Sequence, residues 1–152
     1  MRADSELKEK IVKLVKEHVA KKGIKLRFNT KIVDYSRIVL NISGCSIDLV
    51  ENYKKVQEEA LKRYREGTDE YQAIMQNIKN CDELNQEYTS LSFNRHFIDH
   101  YFSDVAAELL KEIKSIILVD HYDNSDAMRD EFDCAYGWEL RIGYTKKGFS
   151  VI

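Results

Sequence analysis

The residues best suited to chemistry form an acidic run, residues 121–133, near the carboxyl end of the chain. Its carboxylates are Asp123, Asp126, Asp130, Glu131 and Asp133. Hard divalent cations bind clustered carboxylates, but the run lacks the glycine of an EF-hand loop and places Glu131 wrongly for the twelfth ligand. These carboxylates, with Tyr122 among them, would equally suit a basic protein partner. A solvated connection whose side chains bond their own backbone is the other interpretation.

Two histidines and two cysteines are the candidate ligands for a structural zinc. They are Cys81, His96, His100 and Cys134. Thiolate and imidazole are the ligands that zinc prefers, and the two histidines are four residues apart. No Cys-x-x-Cys motif accompanies them. The expectation is therefore that the protein holds neither a metal nor another cofactor.

The motifs of well-known catalytic sites are absent from the sequence, which has no Gly-x-Ser-x-Gly, no phosphate-binding loop and no His-Glu-x-x-His. A metal-dependent enzyme built on the acidic run with His96, Asp99 or His121 stays as the second alternative. Arg95 suits an anion contact or, more simply, an ion pair with the acidic run. The sequence favours a protein that is not an enzyme.

The charges are distributed unevenly along the 152 residues, whose formal net charge is −2. Residues 1–50 carry eleven Lys and Arg against six Asp and Glu, whereas residues 76–125 carry four against nine. An acidic portion of this kind suits a basic partner, although the two portions can also simply attract each other. General nucleic-acid binders are basic overall, so direct nucleic-acid binding is not the first expectation.

The first helix provides the alternative of a nucleic-acid-binding accessory protein. Its lysines are Lys8, Lys10, Lys13, Lys16, Lys21 and Lys22. A basic patch of this kind binds phosphates in a salt-dependent way. Because the sequence contains no long apolar segment and no signal peptide, we expect no membrane contact and a location in the cytoplasm of a bacterial host cell. Its three cysteines are widely spaced and odd in number, which argues against a disulfide framework.

The element expected to position the acidic run is a strand over residues 132–143, in which six apolar residues alternate with other residues. They are Phe132, Cys134, Tyr136, Trp138, Leu140 and Ile142. We expect this to be the central strand of a single α+β domain spanning residues 1–152. The periodicities predict the order α-β-β-α-α-β-α-β-β, with a mainly antiparallel sheet of about five strands and helices largely on one face.

The remaining elements follow from period and capping residues. They are a helix from about Ser5 to Lys22, a hairpin over 24–42 with its loop near 30–36, a helix over about 46–66 with Ser46 as its expected cap, a helix over 68–80, a strand over 88–94, a helix after Ser103, and a last strand after a hairpin turn at 144–148. The charged helices at about 46–80 are expected to form a peripheral arm. Their apolar residues Tyr53, Val56, Ala60 and Tyr64 permit a homodimer.

Several segments together resemble the large polyvalent protein-associated domain, type 29. The motifs are SFNR at 92–95, FSDVAAELLKEI at 102–113, HYDNSD at 121–126 and DEFD at 130–133, and the hairpin over 24–42 with SGCSID at 43–48 is similar to the first strands of that family. The resemblance covers roughly residues 24–50 and 88–143. Such domains occur in proteins of phages, plasmids and conjugative elements, often near functions that oppose host defence.

The resemblance implies a small mobile-element protein that inhibits a host defence nuclease, such as an RNA-guided Cas effector. Acidic side chains would then occupy surface that the nuclease uses for nucleic acid. The contacts expected are Tyr122, Asp123, Asp126, Asp130 and Glu131. The resemblance supplies no catalytic residues.

Overall fold

The fold is taken from a computed structural model that describes residues 4–84, 89–120, 136–145 and 148–152. The described elements, in chain order, are α1 (Ser5–Lys21), β1 (Leu26–Val33), β2 (Arg37–Cys45), α2 (Leu49–Leu61), α3 (Asp69–Cys81), a 3₁₀ helix (Ile98–His100), α4 (Asp104–Ile117), β3 (Gly137–Ile142) and β4 (Ser150–Val151). The predicted α+β class is confirmed. None of these helices combines the length and the apolar character needed to cross a bilayer.

The described sheet has four strands rather than about five, and its strand directions are mixed. β2 lies in the middle, with β1 antiparallel on one side and with β3 and β4 parallel on the other. The prediction of a mainly antiparallel sheet is therefore wrong in this detail. The described helices α2, α3 and α4 and the 3₁₀ helix lie between β2 and β3 in the chain, and a connection of that length allows the chain to return in the same direction as β2.

The predicted strand over 132–143 is present as β3, although residues 132–135 lie outside the described residues. It lies beside β2 and is not the central strand. Trp138, Leu140 and Ile142 are opposite Ile38, Leu40 and Ile42. All of these side chains are buried, as the alternation predicts. The central position belongs to β2, in which every residue from Ile38 to Ile42 is buried.

Helices α1 and α4 pack in the hydrophobic core on this face of the sheet. The stripe of α1 buries Leu7, Ile11, Val15 and Val19, and that of α4 buries Ala106, Ala107, Leu109, Leu110, Ile113 and Ile117. The Asp4 Oδ1 atom caps α1 by accepting a hydrogen bond from Leu7 N at 2.8 Å. The sequence predicts both helices correctly because a wide apolar stripe of period 3.6 has few other interpretations.

Two predicted boundaries in the middle of the chain are wrong. Helix α2 begins after Asp48, which caps it, and ends at Leu61 instead of reaching about residue 66. Ser46, the expected cap, instead accepts a hydrogen bond from Lys25 N at the end of the hairpin. Helix α3 begins after Thr68 as predicted, and none of its residues is buried.

Two further strand predictions also need correction. Residues 89–94 form no strand, and one hydrogen bond from Leu91 N to Ile142 O, 3.1 Å, joins them to the end of β3. One bond fixes a loop against a sheet without making a ladder. The last strand, β4, pairs with Gly44 and Cys45 of β2 rather than returning along β3. The turn predicted at 144–148 therefore connects two strands on the same side of β2.

Candidate functional site

The contacts predicted for a basic partner lie outside the described residues. They are Tyr122, Asp123, Asp126, Asp130 and Glu131. Their role stays a prediction. His121 of the enzyme alternative lies in the same segment. Asp99, its proposed companion, forms an ion pair with Lys111 at 2.8 Å.

Three of the four zinc candidates are described, and each has contacts of its own. Cys81 Sγ donates to Asn77 O at 3.4 Å, and burial raises the pKa of this thiol to about 11, which disfavours the thiolate that binds metal. His96 packs edge-on against Trp138, and His100 stacks on Phe97. Within residues 4–84, 89–120, 136–145 and 148–152, no three His, Cys, Asp or Glu residues are grouped to hold a metal ion. Cys134 lies outside these ranges.

Basic side chains surround the buried Trp138 on β3. The Arg95 guanidinium carbon lies 5.0 Å from a ring centroid of the indole, and the Lys114 ammonium lies 5.9 Å from it. Burial, followed by the charges of Arg95 and Lys114, lowers the pKa of His96. The cation–π contacts hold Arg95 at the edge of β3. Its predicted ion pair with the acidic run involves residues outside the described ranges.

The basic and acidic portions of the chain meet where α1 packs on α4. Lys22 Nζ contacts Glu108 Oε1 at 2.9 Å and Glu112 Oε1 at 2.5 Å, and His18 also contacts Glu112. Lys10 pairs with Asp120 just after α4. Hydrogen bonds to Glu112 and then to Glu108 raise the pKa of Lys22. Mutual attraction of the two portions, which the charge distribution allows, therefore explains part of the asymmetry.

This pairing uses two of the six lysines proposed for nucleic-acid binding, Lys10 and Lys22. Lys13, Lys16 and Lys21 are exposed, and Lys8 is partly exposed. Lys13 and Lys16 lie beside Val12 and are interleaved with Glu9 and Glu17 along the outer surface of α1. A mixed surface of this kind attracts phosphates less strongly than six clustered lysines would.

A shallow acidic concavity of about 370 Å³ extends along α4 from Asp99, just before the helix, to Ser115; we call it the α4 concavity. Its carboxylates are Asp99, Asp104, Glu108 and Glu112. Lys111 lines it as well, and Lys22 of α1 contacts two of its carboxylates, Glu108 and Glu112. Asp99 and Glu108 are exposed by 64% and 62%, so they remain accessible despite their pairing with lysines. The described part of the chain thus presents acidic surface of its own, in addition to the carboxylates in the sequence at 121–133.

A second charged surface, the outer sheet face, lies opposite the core. Register places Lys31, Val39 and Glu139 in one row, with Asn29, Asn41 and Arg141 in the next. Arg27 of β1 and Arg37 of β2 extend the surface. It carries four cations, Arg27, Lys31, Arg37 and Arg141, and one carboxylate, Glu139. Its charge is opposite to that of the whole chain.

A third concavity, of about 510 Å³, lies between α2, α3 and the 3₁₀ helix. Its walls include Val56, Ala60, Ile74 and Tyr101. On its floor Asn77 Nδ2 donates to the buried Gln57 Oε1 at 3.1 Å. Val56 and Ala60, which the sequence offers for a homodimer, line this concavity, whereas Tyr53 is fully buried elsewhere in the core.

Sequence reasoning missed the outer sheet face. Part of the signal was present, because Arg27 occupies a polar position of the first predicted strand and Lys31 follows it in the predicted loop, and both contribute to the basic excess in residues 1–50. Arg37 and Arg141 join them only through the parallel pairing of β2 with β3. That pairing is not local, so spacing along the chain does not reveal it.

Comparison of the chain with protein-family models, curated proteins and solved structures found no match.

Proposed function

We propose that this chain is a non-enzymatic mobile-element protein that binds and inhibits a host defence nuclease, an RNA-guided Cas effector, through acidic surface. The observation that supports the proposal is the α4 concavity, where Asp99, Asp104 and Glu108 are exposed although Lys111 pairs with Asp99 and Lys22 pairs with Glu108. The resemblance of residues 24–50 and 88–143 to a domain found in proteins of phages, plasmids and conjugative elements supplies the biological setting. Tyr122 and the carboxylates of residues 123–131 extend the same acidic segment along the chain.

The protein would inhibit the nuclease by competing with nucleic acid for its basic surface. RNA-guided nucleases hold nucleic acid in positively charged channels, chiefly through its backbone. A protein that presents fixed carboxylates meets such a channel with complementary potential, which increases the association rate and disfavours neutral or acidic partners. Lys22 pairs with Glu108 and Glu112 and therefore cancels part of this negative charge, but the four carboxylates of the α4 concavity outnumber the two lysines that contact them, Lys22 and Lys111, and the surface stays acidic.

The test is inhibition of target-DNA cleavage by a panel of purified RNA-guided effectors. Two variants carry the neutral amides, one with Asp99→Asn, Asp104→Asn and Glu108→Gln, and the other with Asp123→Asn, Asp126→Asn, Asp130→Asn and Glu131→Gln. Amides are chosen because Asp104 has a φ of 51°, a conformation that Asn also adopts readily. We expect weaker inhibition from both variants, mainly through slower association.

The matched control neutralises Glu58, Glu59 and Glu66, which are exposed around the middle helices and should leave inhibition unchanged. If the protein binds an effector without inhibiting cleavage, the effector remains a partner and the inhibitory role is rejected. If the wild-type protein neither binds nor inhibits any effector of the panel, the proposal fails. Full inhibition by both site variants would show that the interface lies elsewhere.

A further inference from the structure

We propose that the outer sheet face binds the backbone of single-stranded nucleic acid. The face consists of Arg27, Lys31, Arg37, Asn41, Glu139 and Arg141. This site is separate from the acidic surface of the proposed function and from the lysines of α1. It occupies the side of the sheet opposite the core residues Ile38, Leu40 and Ile42.

The first support is an excess of cations. Arg37 Nη1 lies 3.1 Å from Glu139 Oε1, and Arg141 Nη2 lies 2.5 Å from Oε2 of the same carboxylate. One carboxylate neutralises one of two guanidinium groups, so the pair keeps a positive charge. Arg27 donates to the hydroxyl and carbonyl oxygens of Ser43, which leave its charge uncompensated. Lys31 is exposed in the neighbouring strand.

The second support is a buried donor among these cations. Asn41 is only 5% exposed, and its Oδ1 atom accepts a hydrogen bond from Tyr144 N at 3.0 Å. Its Nδ2 atom has no hydrogen-bond partner within the described part of the chain. A buried amide donor without an acceptor costs free energy, which an incoming oxygen atom relieves. The Nδ2 atom is shielded from solvent, so a phosphate oxygen attracted by Arg141 in the same row of the sheet reaches it once the neighbouring side chains shift.

Aromatic side chains favour nucleic acid over an acidic protein. The Arg141 guanidinium carbon lies 4.4 Å from the centroid of the Tyr144 ring, and this ring is 36% exposed at the end of β3. Tyr35, at the tip of the β1–β2 hairpin, is 77% exposed. Bases of a single strand stack on rings and guanidinium planes while cations follow the phosphates, and this binding tolerates different sequences.

The negative total charge of the chain does not oppose this inference. Potential near a surface depends on the nearest charges, since the Debye length is about 8 Å at physiological ionic strength. Three of the four carboxylates of the α4 concavity, Asp104, Glu108 and Glu112, belong to α4, which packs on the core side of the sheet. The expectation against direct nucleic-acid binding rests on the total charge, whereas the fold separates the two signs.

The experiment measures fluorescence anisotropy of labelled oligo(dT) and oligo(rU) of roughly 15 nucleotides over a series of salt concentrations. We expect saturable binding at low salt. The variant Arg27→Gln with Lys31→Gln should bind about tenfold more weakly and should reduce the slope of log affinity against log salt by about 0.7 for each cation. Glu139→Gln should bind more tightly than the wild type, because it removes the one carboxylate of the face.

The matched control is Lys13→Gln with Lys16→Gln, which removes the same charge from α1. An equal loss of affinity in this control would overturn the proposal in favour of the first helix. Absence of binding at low salt also overturns it. The proposal is also overturned if a polyglutamate peptide competes as well as unlabelled oligo(dT) and Tyr144→Ala leaves the affinities for the peptide and for oligo(dT) unchanged. Circular dichroism melting of each variant establishes that the fold is retained, and the gain expected from Glu139→Gln does not depend on loss of folding.

Discussion

Asn52 on α2 and Ser103 at the start of α4 exchange three hydrogen bonds. Asn52 Nδ2 donates to Ser103 Oγ at 3.1 Å and to Ser103 O at 3.2 Å, and Ser103 N donates to Asn52 Oδ1 at 2.9 Å. Ser103 therefore occupies the N-cap position of α4 without capping the helix through its own side chain. One amide joins two helices that are separated by about fifty residues in the chain.

We predict that Asn52→Ala lowers the free energy of unfolding by about 2 kcal/mol, because it removes three partly buried hydrogen bonds worth roughly 1 kcal/mol each while Ala favours the helix. Urea denaturation measures the change. Gln72→Ala on the exposed surface of α3 is the control and should change stability by less than about 0.5 kcal/mol. Equal effects of the two substitutions would contradict a specific connection between α2 and α4.

The hairpin turn offers a stabilising change. Asp34 and Tyr35 have φ values of 53° and 56°, and Ser36 N donates to Val33 O at 3.3 Å. Two consecutive left-handed residues define the turn that Asn-Gly forms most readily, whereas a tyrosine in this conformation is strained. We predict that Asp34→Asn with Tyr35→Gly raises the free energy of unfolding by about 1 kcal/mol.

Ser36→Gly is the control for this turn, because Ser36 lies outside the left-handed region and gains nothing from glycine. It should leave stability unchanged or lower it by a few tenths of a kcal/mol. Thermal unfolding followed by circular dichroism compares the two variants. A lower melting temperature for the Asn-Gly variant would reject the assigned turn geometry.

The comparison of sequence with structure shows which features are local. The stripe of α1 and the alternation around Trp138 identify a helix and a strand because each pattern has one dominant period. The alternation of Leu91 and Phe93 has the same appearance, yet the described residues 89–94 form a loop, since their backbone finds one partner in β3. The parallel pairing of β2 with β3 depends on contacts about one hundred residues apart.

The candidate sites also combine features that are visible in the sequence with features that depend on contacts between distant residues. The lysines of α1 and the carboxylates of α4 are visible in the sequence, but the pairing of Lys22 with Glu108 and Glu112 requires helix packing that no short pattern specifies. The outer sheet face combines three strands. In the sequence, Asn41 is simply a polar residue of an alternating strand. The structure shows that its side chain is buried, and the strand register places it opposite Arg141.

Tyr53 provides a test of the core. The side chain is fully buried, and its hydroxyl group donates to Ser92 O at 2.6 Å. We predict that Tyr53→Phe lowers the free energy of unfolding by about 1 kcal/mol, because the fold loses this part-buried hydrogen bond. Tyr64→Phe is the matched control, since Tyr64 is exposed by 44% and should tolerate the change. Urea denaturation that finds equal stability for Tyr53→Phe and the wild type would contradict a contribution from this hydrogen bond.

The contact between α1 and α4 predicts how stability depends on pH. Burial tends to raise the pKa of Glu112, but hydrogen bonds from Lys22 and His18 outweigh it and hold that pKa below its ordinary value. A carboxyl group with a depressed pKa in the folded state stabilises the fold above its unfolded pKa, roughly 4.3, and loses this contribution as the pH falls through the folded pKa. Lys22 acts in the opposite direction, because its raised pKa gives a contribution that disappears at strongly alkaline pH.

We therefore predict that Glu112→Gln is less stable than the wild type at neutral pH and that this difference shrinks as the pH falls below roughly 4. Urea denaturation at a series of pH values from about 3 to 7 measures it. Glu9→Gln, on the exposed surface of α1, is the control and should follow the wild-type profile throughout. A stability difference for Glu112→Gln that stays constant down to the lowest pH would show that the loss comes from packing rather than from the charge shared with Lys22 and His18.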